Sequence, residues 1–346
     1  MTEARAQNLH ASARNRAPAV NIVLCAMLIL TIAASLATGA SFLSPADLWR
    51  GLTGADEAAA IIVREIRLPR TILAAASGGI LGLAGAAIQG LTRNPLAEPA
   101  VLGTPQAAAL GAVLVLYNGL AAADSIWIAL AAIIAAGLAT AVIFSLLRRG
   151  DNIVTLLLAG LGIGSLASAA LSFVISLSPN PYSVMEIVFW LMGSFEDRSL
   201  EHVAVSLPFM VLAALILIIC RKGYSALTLG EDVAASLGTD IRRTTMLTAA
   251  GVSLGVGASV AVAGAIGFVG LIAPHLVRPA CGNDPGRILI PAGLCGALIV
   301  TLADIAVRVI PATSEIRVGA LTALIGAPLF LWLVAGRRQS IWSRLQ

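Results

Sequence analysis

Charge is what this sequence has least of. Only 12% of its 346 residues are Asp, Glu, Lys or Arg, against 58% apolar, whereas an ordinary soluble domain carries about 25% charged residues. That balance excludes a soluble globular chain and indicates a polytopic membrane protein. Lysine is almost missing: Lys222, in Cys-Arg-Lys-Gly, stands alone. No GxxxxGK[ST] phosphate-binding loop is present, so ATP hydrolysis of that type belongs to another chain. HExxH does not occur, which leaves a metalloprotease without its metal motif, and the GxSxG match Gly251-Val252-Ser253-Leu254-Gly255 lies inside an apolar span, without the strand-to-helix turn that exposes a nucleophile. Nothing in the chain reads as an enzyme. The cysteines Cys25, Cys220, Cys281 and Cys295 are far apart and form no CxxC pair, giving neither a disulfide framework nor a metal site. His10, His202 and His275 are equally dispersed. His275, in Ala-Pro-His-Leu-Val-Arg, has no second ligand near it and reads as a packing residue. No metal or cofactor is expected on this chain.

What the sequence does have is long apolar runs. Ten spans can be drawn, roughly 20–40, 69–90, 99–118, 125–147, 153–177, 202–220, 242–262, 268–279, 288–309 and 317–335; the eighth is short for a bilayer core of about 30 Å. The fold expected is all-α. Residues 1–19 form a basic, disordered amino-terminal tail, 20–336 one transmembrane domain, and 337–346 a carboxy-terminal tail. Ala-Thr-Gly-Ala at 37–40 resembles a signal cleavage site, but the run before it is about twenty residues, the length of a retained span. The net charge of +4 is scattered in ones and twos at the ends of the runs, a pattern that reports topology and offers no surface for nucleic acid. An even number of spans returns both termini to one side, and 15 of the Lys and Arg residues then share that side against 7 opposite. The positive-inside rule places both termini in the cytoplasm.

The chain is organised around Arg67 to Gly111. Thr71 to Ile88 is uncharged and carries Gly78, Gly82 and Gly85 at spacings of four and three, so one helix face is nearly bare backbone and can approach a neighbour closely. Asn94-Pro95 must turn, and Pro99 can open the next helix. Arg67 and Arg70 lie on the outer face, where arginine is disfavoured. They either anchor the span at the headgroups or offer guanidinium forks to carboxylates of another protein. Arg308, at the outer end of the ninth span, is a third candidate. Asp304 stands four residues before it, close enough on one helix to form an intramembrane ion pair. A structural pair and a proton relay both fit that position.

Two further segments are too short or too polar to span. Val184 to Phe195, tipped by Glu196, Asp197 and Arg198, reads as a short helix at the outer mouth. Gly223 to Thr239 is the longest cytoplasmic interruption, with an apolar set at Leu227, Leu229, Val233, Ala234 and Leu237 and a plausible stop at Gly238. A helix of that kind is suited to lie on the surface and dock in a groove of a partner.

Several long motifs occur in a fixed order: RLPR at 67–70, QGLTRNPLAEP, LGTPQAAALGA, LLLAGLGIG at 156–164, LGEDVAASLG at 229–238, GAIGFVGLIAPHLVR at 264–278, then ADIAVR and VGALTALIGAPLFLWL. Together they resemble the permease subunits of bacterial type II ABC importers, of the FecCD and BtuC type, which take up iron–siderophores, haem or vitamin B12. The resemblance covers roughly residues 20–336. It implies a homodimer of ten-helix subunits in lipid, two ATP-hydrolysing cassette subunits inside and one periplasmic substrate-binding protein outside. It makes Arg67, Arg70 and Arg308 docking residues for the binding protein. It makes 223–239 the coupling segment seated in the ATPase, with Leu229, Gly230, Glu231, Ala235, Leu237 and Gly238 at the contact. Asn94 and Leu96 match the cytoplasmic gate, whose second wall falls at Ile153 and Val154. There the chain departs from the family's small hydroxyl residues, reading Asp151-Asn152-Ile153-Val154-Thr155, and a more apolar gate is expected. An iron complex is the cargo this reading favours, with vitamin B12 as the alternative. From a different class, a proton-coupled carrier using Asp304 remains open.

Overall fold

The computed structural model describes residues 2–39, 43–121, 125–147, 153–178, 180–311 and 316–342, with side chains from residue 18 to residue 331 within those ranges. Asp151 and Asn152, which precede the expected gate residues Ile153 and Val154, lie outside them. The described chain is helical nearly throughout. It runs α1 (Thr2–Ala37), α2 (Pro45–Thr53), α3 (Glu57–Ala60), a π-helical turn Ile61–Arg67, α4 (Leu68–Thr92), a 3₁₀ turn Pro99–Leu102, α5 (Thr104–Tyr117), α6 (Ile126–Leu146) and α7 (Ile153–Ser176). It continues with α8 (Pro181–Leu191), α9 (Leu200–Ile219), α10 (Arg221–Leu227), α11 (Glu231–Ser236), α12 (Ile241–Ala263), α13 (Val269–Cys281), α14 (Pro285–Val309) and α15 (Val318–Trp342). α1 extends back to Thr2, through the segment expected as a disordered tail.

Among the described residues, seven helical stretches are long and apolar enough to cross a membrane: 18–37 of α1, the continuous 57–92, α6, α7, α9, α12 and α14. Every one of the ten expected spans has a helix, but three are shorter than a bilayer. α5 has 14 residues and α13 has 13, so each rises only about 20 Å; the apolar part of α15 ends at Leu331. The missing length lies in irregular backbone. Before α5 the chain passes through the 3₁₀ turn and Gly103 at φ +70°. Before α13 it passes through Gly264–Phe268, with Phe268 itself left-handed at φ +65°. Such backbone survives at membrane depth only where protein or a water-lined cavity satisfies it.

α4, α12 and α14 form the buried centre, while α1, α6, α7 and α9 leave most of their apolar surface uncovered. The bare glycine face of α4 explains the centre. A methyl group on Gly78 would collide with Gly296 O, on Gly82 with Ala292 O, and on Gly85 with Gly270 O. Helices in lipid gain nothing from apolar burial alone, so this close approach supplies the packing that holds α4 to α13 and α14. Two ends of the bundle follow. α1 finishes and α4 begins at the far end; α4 finishes beside α10 and α11 at the near end.

Candidate functional site

At the far end, helix α1 stops with its last carbonyls unpaired, as every helix must. Two arginines from other helices take them. Arg67 Nη1 donates to Leu36 O (2.9 Å) and Ala37 O (2.8 Å), and Arg308 Nη1 donates to Ser35 O (3.0 Å) and Thr38 O (2.8 Å). The helix dipole favours cations there. Arg308 Nη2 also reaches Ser35 Oγ at 2.7 Å, and Ser35 Oγ meets Thr71 Oγ1 at 2.8 Å. Asp304 is fully buried and sits between two guanidiniums, Arg70 Nε at 2.9 Å and Arg308 Nη2 at 2.8 Å. The ion pair expected within α14 is therefore a triad joining α14 to α4. The guanidiniums of Arg67, Arg70 and Arg308 are thus taken up within the chain. Arg67 is only 5% exposed, and the side chains of Arg70 and Arg308 are 11% and 7% exposed. Burying a guanidinium requires that its donors be satisfied, and the end of α1 together with Asp304 does that.

At the near end, α10 is fixed and α11 protrudes. Tyr224 and Leu227 are fully buried; Tyr224 OH pairs with Thr248 Oγ1 at 2.9 Å, and burial holds its phenol well above the usual range, hence protonated. Ser225 Oγ donates to Asp284 Oδ1, which also accepts from Gly286 N and starts α14. α11 makes one buried apolar contact, Ala234, and is bounded by Gly230 at φ +100° and Gly238 at φ +85°. The apolar set expected on one face divides between two. Leu227 and Ala234 turn inward, while Leu229, Val233 and Leu237 are 60%, 45% and 64% exposed. Ala235 is exposed as well. Glu231 faces Arg93 at 3.4 Å across half-exposed surface, a pair of little energetic weight.

The expected gate residues divide in the same way. Asn94 Oδ1 accepts from Leu96 N at 3.0 Å, closing a side-chain turn that leaves Leu96 half-exposed. Val154 is exposed beside it in the chain order of α7, but Ile153 is only 7% exposed, so of the two only Val154 presents an apolar side chain outward.

Sequence reasoning passed over the middle of the bundle. The segment after α4 and the break before α13 meet there: Glu98 Oε1 accepts from Phe268 N at 3.0 Å. Arg278 donates to Gln89 Oε1 at 2.8 Å, tying α13 to α4. The signal was in view, since Glu98 stands in Leu-Ala-Glu-Pro and Phe268 in Gly-Phe-Val-Gly, but nothing in the spacing says that the two touch. Beyond the break, α8, the segment that follows it and Arg317, just before α15, border an open cavity of about 510 Å³ lined by Tyr182, Phe189, Trp190, Glu196 and Arg317, among others. Arg317 pairs with Glu196 at 2.7 Å and lies over the Phe189 ring at 5.5 Å. Among the described residues no group of His, Cys, Asp and Glu is arranged to hold a metal.

Comparison with known proteins places this arrangement. The model of the FecCD transport family matches residues 27–336. An uncharacterised ABC transporter permease protein, YvrB of Bacillus subtilis, is 40% identical over 274 residues, covering 78% of this chain and 77% of that protein. The vitamin B12 import system permease protein BtuC of Salmonella typhimurium is 35% identical over 315 residues, covering 90% and 93%. A solved structure described as "An inward-facing conformation of a putative metal-chelate type ABC transporter" superposes with a TM-score of 0.80 at 30% identity, over 92% of this chain and 99% of that one.

Proposed function

Since this chain belongs to the FecCD transport family, as a multi-span ABC importer permease, we propose that two copies enclose the pathway of an ATP-driven importer of metal chelates. The near end is cytoplasmic in this reading. The observation that carries it is the exposed triplet Leu229, Val233 and Leu237, in α11 and at its two ends: three large apolar side chains on and beside a short helix, outside every span, call for a protein groove to cover them. That groove belongs to a separate ATPase subunit, and α10, locked to α12 and α14 through Tyr224 and Ser225, carries its motion into the bundle. ATP-driven closure of the ATPase pair biases the packing between outward-open and inward-open states. A periplasmic binding protein delivers cargo at the far end. Arg67, Arg70 and Arg308 serve that docking from beneath, by fixing the ends of α1, α4 and α14, and the partner reads the surface they support.

An iron complex, siderophore or haem, is the cargo first expected. The 90% coverage by a vitamin B12 permease favours cobalamin as the second reading. The test is uptake into proteoliposomes holding the permease, its ATPase and its binding protein, assayed with a ferric siderophore, haem and cobalamin. ATP-dependent uptake of one of these is expected. Uptake driven by a proton gradient without ATP would overturn the importer and restore the carrier reading.

A further inference from the structure

We propose that Glu98 is a positioning residue that ties the gate loop at the near end to the closure of the pathway at the far end. The proposal rests on the importer reading above. Glu98 ends the loop that starts at Arg93 and contains the Asn94–Leu96 turn. Its carboxylate accepts from Phe268 N at 3.0 Å; Phe268 is the residue that caps α13 and the last of the irregular segment 264–268. No intrahelical acceptor exists for an amide at that position, so the carboxylate supplies what the chain break removed.

From Phe268 a run of direct contacts leads to the far end. Ala265 N donates to Leu191 O and Ser194 N to Ala263 O, which fasten the irregular segment to the end of α8. Gly319 N donates to Gly193 O, which fastens the start of α15 to the same point. α15 packs back on Phe268 at Gly326, where an added methyl would sit 2.5 Å from Phe268 Cβ. The loop end itself is wedged against α7, because Gly103 lies on the backbone of Gly160 and Gly164. Glu98 bridges the two irregular segments through this hydrogen bond, and a carboxylate is suited to it because charge-assisted bonds are about twice as strong as neutral ones. A loop displaced by the ATPase would pull on Phe268 and, through it, on the α8 and α15 ends that border the far-end cavity.

Three variants in the full permease–ATPase–binding-protein complex test this. Glu98→Gln keeps a carbonyl oxygen at the same reach, Glu98→Asp withdraws it by one methylene, and Glu98→Ala removes it. Hydrogen exchange of the 264–272 region is read in nanodiscs, and cargo transported per ATP is read in proteoliposomes with a ferric siderophore, haem and cobalamin as probes. Expected for Ala and Asp is roughly tenfold faster exchange at Phe268, with transport per ATP reduced severalfold while ATP hydrolysis continues; Gln stays within about twofold of wild type in both. Unchanged exchange in Glu98→Ala overturns the tie. Faster exchange with unchanged transport per ATP reduces the bond to a local helix cap and overturns its coupling role. Loss of transport in Glu98→Gln with exchange unaltered replaces the tie with a proton-carrying carboxylate. A wild-type complex that shows no ATP-dependent transport of any probe, yet keeps the exchange pattern, sinks the importer reading and with it the coupling role, while the hydrogen bond itself stands.

Discussion

Asp304→Asn isolates the charge of the buried triad with almost no change in shape. In the wild type one carboxylate serves two guanidiniums, Arg70 Nε at 2.9 Å and Arg308 Nη2 at 2.8 Å, on different oxygens. The two cations are thereby held no more than about 8 Å apart, and at an effective dielectric constant of about 20 two unit charges at that distance repel by about 2 kcal/mol. Removing the shared anion exposes that repulsion and leaves buried cations uncompensated, a loss of about 3–5 kcal/mol for a broken buried pair. A membrane protein with a marginal reserve will lose expression and thermal resistance accordingly. The assay is the melting temperature of the detergent-purified permease, followed by fluorescence and by size exclusion after heating. The double variant Asp304→Asn, Arg70→Gln removes one of the two cations and leaves Arg308 on the carbonyls of α1, so it should be more stable than Asp304→Asn alone. Transport by whatever single variant survives should show the wild-type dependence on external pH, because a carboxylate held between two arginines has no proton to deliver. A melting temperature equal to wild type, or a double variant no better than the single, would refute the triad argument. Loss of a proton-gradient requirement in the single variant would refute the structural role and make Asp304 a relay.

Three further outcomes are expected. Leu237→Asp, or Glu231→Arg with Leu229→Asp, should abolish co-purification of the ATPase without altering the melting temperature, because these side chains touch little of the permease itself; retained pull-down would remove α11 from the contact. Gly85→Ala should disrupt the α4–α13 approach, since its methyl would meet Gly270 O, whereas Gly162→Ala, with nothing within 4 Å, should leave stability unchanged or slightly raised; thermal melts of the two compare them directly. Arg67→Glu should lower expression and melting temperature, because the end of α1 loses donors at Leu36 O and Ala37 O and gains a buried anion; a stable variant with weakened binding-protein affinity would return Arg67 to the docking surface.

Composition and periodicity by themselves determined the class, the helical content and the place of every helix that crosses the bundle, because twenty-residue apolar runs and the charges that end them are local properties of the chain. The bare face of α4 was legible for the same reason: Gly78, Gly82 and Gly85 announce close packing, though not against which helix. The protruding segment at residues 229–238 was legible as too polar to span. Tertiary structure alone decided what the polar residues do. Arg67, Arg70 and Arg308 look like surface cations in sequence, because Arg67 and Arg308 reach backbone carbonyls at the end of α1, some 30 and 270 residues away, and Arg70 reaches Asp304 across 234 residues; a carbonyl leaves no trace in a residue pattern, and neither does so distant a pairing. Leu227 and Leu229 look alike until the turn between α10 and α11 sends one inward and the other out. Glu98 and Phe268 are 170 residues apart, and only the folding back of two irregular segments into the middle of the bundle makes the carboxylate of one the acceptor for the amide of the other.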